Sequence, residues 1–220
     1  MVVAGEIRGL RERFSEGLED LKETLEDAWD VFRSYAEMTR LGEVARRFAV
    51  TNSFDGLLTI LGVVAGSYIY GVRDPKPILS AGVGAIVGIT LSAAVGTYIT
   101  EMAERAQEIR EMEAAVLRSL EESVVAKAHK VSALVISLAS SLVPAFFTSL
   151  AILPFALIQR MGIDISTAFA LSIGTIMGSL FLLGAYLGHI SGRGRLFYGF
   201  IEVAVGAAIV VILLSLGITP

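Results

Sequence analysis

Residues Thr51 to Val72 read TNSFDGLLTILGVVAGSYIYGV. From Gly56 to Val72 the run carries no charge. The whole stretch matches the ~20 apolar residues that a bilayer core requires. One carboxylate, Asp55, stands close to its entrance. An acid that near hydrocarbon is costly, so it normally faces protein or water rather than lipid. Asn52 and Ser53 are placed to cap the start of this helix by accepting bonds from its free amides. Asp55 therefore has two readings. It marks an ion path, or it caps the helix at the interface, favoured by the helix dipole.

Working outward, the composition supports a membrane chain. The 220 residues are 54% hydrophobic, too apolar for an ordinary soluble domain. Charge is concentrated in residues 1–50 and then falls into short clusters. The net charge is −4, with no basic block suited to nucleic acid. There is no cysteine, which excludes disulfides, thiolate metal sites and thiol catalysis. The two histidines, His129 and His189, are far apart in sequence, so a histidine-rich metal site within one subunit is not expected. No phosphate-binding glycine loop with a lysine, no HExxH and no nucleophile-elbow serine occurs, and an enzyme is not expected.

Four more spans follow the first: Pro77 to Thr100, Val131 to Ile158, Ser166 to Ile190 and Leu196 to Gly217. The third carries Pro144 and Pro154, which each remove a backbone donor and should kink or break the helix. Before the spans, residues 5–48 read as a long amphipathic cytosolic helix. Leu10, Phe14, Leu18, Leu21, Leu25, Trp29 and Phe32 form one stripe at steps of three and four. Its acidic opposite face favours a protein partner over a lipid surface. Fifteen Lys and Arg fall on the side that holds the N-terminus and three on the other. The N-terminus is therefore expected in the cytoplasm and the C-terminus outside. The fold expected is an all-α membrane protein of five transmembrane helices. Its segments are a cytosolic 1–50 and a membrane domain 51–220 with a short glutamate-rich cytosolic insert at 101–130.

Small residues recur at spacing four: Gly62 and Gly66, Gly84 and Gly88, Gly174 and Gly178, Gly184 and Gly188. They let helix backbones approach closely, and bundle packing is their plain reading. Five short-looped spans make a small transporter, so a path shared by a homodimer is attractive. The insert EMAERAQEIREMEAAVLRSLEESVVAKAHK is expected to continue the second span's helix into the cytosol. Glu101, Glu104, Glu108 and Glu111 fall on one helical face, and carboxylates suit hard or borderline divalent cations. A solvated face, with Arg105 pairing Glu101 or Glu108, is the alternative. Glu202 is a second intramembrane acid, either a proton carrier or a structural tie.

Four stretches carry a resemblance. SFDGLLTILGVVAGS resembles the first-span motif of the vacuolar iron transporter family, and LSAAVGTYITEMAERAQEIREME its second span and glutamate-bearing helix. SLVPAFFTSLAILPF resembles its proline-containing third span. FLLGAYLGHISGRGRLFYGFIEVAVGAAIVVILLSLGI resembles the end of its pattern. The similarity spans residues 46–217 and marks a divergent, prokaryotic branch. It implies a homodimer that exports Fe²⁺ or Mn²⁺ from the cytoplasm against protons, along a path between subunits lined by the first two spans. No permanently bound cofactor is implied; the metal is the transported ion. Asp55 would be a translocation ligand, and Glu101, Glu104, Glu108 and Glu111 would gather metal. The chain departs from the family in three places. Gly96-Thr97-Tyr98 stands where Gly-Glu-Tyr is common, Leu91 and Ala93 stand about where methionine is common, and the insert is short. Ser92 and Thr97 would supply neutral oxygens if they face the path, and harder ions such as Mn²⁺ should gain. The plasma membrane of a prokaryote is the expected location. The rival is a non-transporting scaffold that recruits a cytosolic partner through the N-terminal helix. A transporter of another solute ranks below both, because the chain lacks a broad polar lining.

Overall fold

The computed structural model describes residues 33–34, 36–37, 40–116, 124–192 and 194–216. The apolar stripe between Leu10 and Phe32 lies outside them. The order of elements is α1 (Leu41–Ile69), α2 (Pro75–Val116), α3 (Val124–Met161), α4 (Ile165–Ile190) and α5 (Arg195–Leu216). All five are long and apolar enough to cross a membrane, and the described regular structure contains no strand. The chain is an integral, all-helical membrane protein.

The helix starts differ from the sequence expectation in one informative place. α1 begins at Leu41 and runs unbroken across residue 50, where the sequence suggested a boundary between segments. Asn52 and Ser53 are therefore interior residues and do not cap it. Ser53 turns its hydroxyl back onto its own helix, donating to the Ala49 carbonyl at 2.6 Å. The cap position is Arg40, in a left-handed conformation with no side-chain cap bond. Charged residues Glu43, Arg46 and Arg47 lie in the first turns, so charge content hid a continuous helix.

α2 has 42 residues and does continue past the second span. At 1.5 Å per residue it is about 60 Å long, twice the ~30 Å hydrocarbon thickness. α3 is also unbroken despite Pro144 and Pro154 inside it. A side chain answers part of the lost backbone bonding: the Ser140 carbonyl, four residues before Pro144, accepts from Asn52 Nδ2 at 3.1 Å. The links on the far side are tight. Gly71 and Gly162 follow α1 and α3 with φ of 68° and 64°, a left-handed turn that glycine adopts without a Cβ clash. Asp164 caps α4, accepting from the Thr167 N–H at 3.1 Å and from its hydroxyl at 2.6 Å.

α1 is the central helix and packs on all four others. Leu57, Ile60, Leu61 and Val64 are buried against Ala151, Ile152 and Phe155 of α3 and Phe169, Ile176 and Leu180 of α4. The outer helices α2 and α5 keep broad apolar faces exposed. On α2 these are Val83, Val87, Leu91 and Val95, one residue per turn. Such faces suit lipid tails or another membrane helix.

The glycine pattern needs correction. A Cβ added at Gly62, Gly66, Gly84, Gly88, Gly174 or Gly178 would meet nothing within 4 Å. These residues do not bring helices together within one chain. Only the last pair does so: a Cβ on Gly184 would lie 2.6 Å from the Tyr198 carbonyl oxygen, and one on Gly188 2.8 Å from the Arg195 Cα. Gly56, Gly199 and Gly206 are further close approaches without spacing-four partners.

Candidate functional site

Asp55 is the middle residue of α1. Its neighbour Gly56 is buried, and a Cβ there would come 2.9 Å from Thr148 Cγ2. Gly56 thus lets α3 press against the back of α1. Asp55 lies on a different side, exposed in a groove of about 470 Å³ between α1 and α2. α1 contributes Phe48, Asn52 and Asp55, at steps of four and three. α2 contributes Gly88, Ser92, Gly96 and Thr100, four apart, with Ile89, Ala93 and Thr97 beside them. Helical periodicity therefore puts one row from each helix along the groove.

The groove gathers a carboxylate, an amide and the hydroxyl-bearing residues Ser92, Thr97 and Thr100. Asp55 makes no ion pair and its carboxylate accepts no hydrogen bond among the described residues. Only its backbone carbonyl is used, by the Thr59 hydroxyl at 2.7 Å. No described lining residue is cationic. A carboxylate kept open and without a counter-charge within an apolar span is costly unless it faces water or a cation. The structure thus brings Asp55, Ser92 and Thr97 together.

The four cytosolic glutamates are not brought together. Glu101, one turn beyond Thr97, is 1% exposed, while Glu104 and Glu111 face solvent. Arg105 Nη2 lies 3.4 Å from Glu101 Oε2, and its Nη1 lies 2.9 Å from Glu108 Oε2. His129 of α3 approaches the same Glu108 oxygen at 3.9 Å. Gln107 Nε2 donates to Glu111 at 3.0 Å. Arg105 therefore pairs with both glutamates the spacing offered it, clasping successive turns of α2, and His129 is the α3 residue that approaches this cluster. Among the described residues no three His, Asp or Glu side chains are grouped to hold a metal ion. Glu121 and Glu122 lie outside the described residues. Glu202 is elsewhere, half-buried on α5 with its Cγ packed at Gly184 of α4, away from the groove. His189 meets Arg195, with 2.8 Å between its Nδ1 and Nη2.

Sequence reasoning overlooked Asn52 and Thr100 as groove residues. The signal was present: Asn52 is three residues before Asp55 and shares its face once the helix is extended back to Leu41.

A model of the VIT family matches residues 46–135, which contain both walls of the groove. An uncharacterized protein of Methanocaldococcus jannaschii is 31% identical over 175 residues, covering 78% of this chain and 87% of that protein. The chain belongs to the VIT family. VIT-family proteins are membrane metal-ion transporters rather than enzymes, in agreement with the resemblance carried by the motifs. The archaeal relative fits a divergent prokaryotic branch.

Proposed function

We propose that this VIT-family protein exports a divalent transition metal, Fe²⁺ or Mn²⁺, from the cytoplasm along the α1–α2 groove, in exchange for protons. One observation carries the proposal: Asp55 stands in the groove with no counter-charge among the described residues. The described lining offers oxygen donors and no methionine or histidine, a set that favours harder ions and therefore Mn²⁺ over Fe²⁺. No resident cofactor takes part.

The path is completed in a homodimer. Among the described residues the groove is lined from α1 and α2 alone, and the exposed apolar residues of α2 flank it. A second copy would bring two Asp55 carboxylates to the axis, where they bind a divalent ion or share a proton. Glu104 and Glu111, exposed on the cytosolic extension, gather cations at the entrance, with Glu101 and Glu108 beside them under Arg105. Glu202 is a candidate proton site outside the groove. The Lys and Arg bias supports a cytoplasmic N-terminus and an external C-terminus, and the archaeal relative supports a prokaryotic plasma membrane as the location.

The test is uptake into proteoliposomes of Fe²⁺, Mn²⁺, Co²⁺ and Zn²⁺ under an imposed pH gradient, with Asp55→Asn alongside. Mn²⁺ uptake that is lost in the variant is the expected result. A well-folded wild-type dimer that carries none of the four would overturn the proposal and leave the scaffold reading. Fe²⁺ outcompeting Mn²⁺ would overturn the preference.

A further inference from the structure

Pro144 lies inside α3, where it has no N–H to offer the carbonyl four residues back. That carbonyl belongs to Ser140, which is fully buried. A buried carbonyl without a donor costs about as much as a lost hydrogen bond. Asn52 of α1 supplies the donor, with Nδ2 3.1 Å from the Ser140 oxygen. Only the NH₂ end of an amide can serve there, because the reversed amide would set oxygen against oxygen. With Nδ2 engaged, Oδ1 is the remaining polar atom, and it has no hydrogen-bond partner among the described residues. Asn52 lines the groove beside Asp55. The same turn of α3 holds the opposite wall. Ser137 donates to the Ala94 carbonyl at 2.6 Å, next to Ala93, which lines the groove; the Ser140 hydroxyl bonds the Ser137 carbonyl of its own helix at 2.8 Å.

We propose that Asn52 is a ligand of the transported cation, adding a neutral carbonyl-type oxygen to the Asp55 carboxylate. Pro144 is its positioning residue: by freeing the Ser140 carbonyl it fixes the amide with Oδ1 toward the groove. The inference rests on the groove being the cation path, and it extends the site to a third helix. Carboxylate plus amide oxygen is a donor set for hard divalent ions.

Mn²⁺ uptake by the full chain in proteoliposomes tests this. Asn52→Ala is expected to raise KM about tenfold with Vmax little changed. Pro144→Ala returns an N–H to the Ser140 carbonyl, so it should raise KM in the same direction by a smaller factor. Both act through one hydrogen bond, so the double variant should be no worse than Asn52→Ala alone. If Asn52→Ala does not fold, Pro144→Ala carries the same KM measurement, because it restores a regular helical bond. An unchanged KM in Asn52→Ala removes the ligand role, and an unchanged KM in Pro144→Ala removes the positioning role. Effects that multiply in the double variant also overturn the link. Wild-type vesicles that carry no divalent cation overturn the path itself, and this inference with it.

Discussion

Asp55 and Glu101 are acids on neighbouring helices in opposite circumstances. Asp55 is exposed in a groove and has no charged partner among the described residues. Glu101 is buried, and Arg105 lies against it at 3.4 Å. A buried carboxylate beside a guanidinium is held by the fold, because removing either partner strands a charge. An open carboxylate without a partner contributes little to holding helices together, and its cost is justified only by what it attracts. The two acids differ in kind: an open carboxylate in the α1–α2 groove, and a paired one in the Arg105 clasp on α2.

The largest expected effect lies in the groove. Asp55→Asn should lower Mn²⁺ uptake by about a hundredfold while leaving the thermal midpoint near that of the wild type. A large loss of stability instead would make Asp55 structural and erase the contrast. The clasp should respond the other way. Arg105→Ala leaves Glu101 buried without its guanidinium, at a cost of about 3 kcal/mol by thermal or denaturant unfolding. If that variant kept its stability and lost uptake, the clasp would belong to the path.

Gly56→Val probes the wall behind Asp55. The added atoms meet Thr148, and about 1–3 kcal/mol of overpacking is expected, read as a lower thermal midpoint. A neutral result would mean that α3 is not held against α1 there. The smallest effect concerns a third carboxylate, Asp164, exposed in the α3–α4 link. The Thr167 hydroxyl, then the Thr167 backbone N–H, hold its carboxyl below the usual range. The folded protein therefore favours the ionised form, and this stabilisation is present above the ordinary carboxylate pKa. It is lost as pH falls through the depressed folded value. Asp164→Ala should lower the thermal midpoint slightly at neutral pH, with the difference closing on acidification. A difference independent of pH would count against the cap.

Much of the architecture was readable in advance. Apolar runs of span length located five helices, because lipid admits few other backbone solutions. The insert after Thr100 read as a continuation of the second span, and α2 reaches Val116. The start of α1 is not legible in the sequence, because Arg46 and Arg47 resemble the end of a cytosolic segment although charge does not stop a helix at a membrane entrance. Asn52 is for that reason an interior residue where the sequence offers a cap. The glycine pairs misled for a related reason: spacing four places two residues on one face but does not say what the face meets.

By itself, the sequence determined the number of spans, the helical class and the resemblance to metal-ion transporters, and it singled out Asp55 as an acid near an apolar span. These depend on hydropathy, periodicity and local motifs. Tertiary structure decided which polar residues share a site. It joined Asn52 to Asp55, Ser92 and Thr97, and it tied Glu101 and Glu108 to Arg105 and His129. It also let Pro144 of α3 act on Asn52 of α1 through Ser140. The physical reason is that a freed carbonyl is satisfied by whichever donor packing brings near, and Asn52 is 88 residues away along the chain.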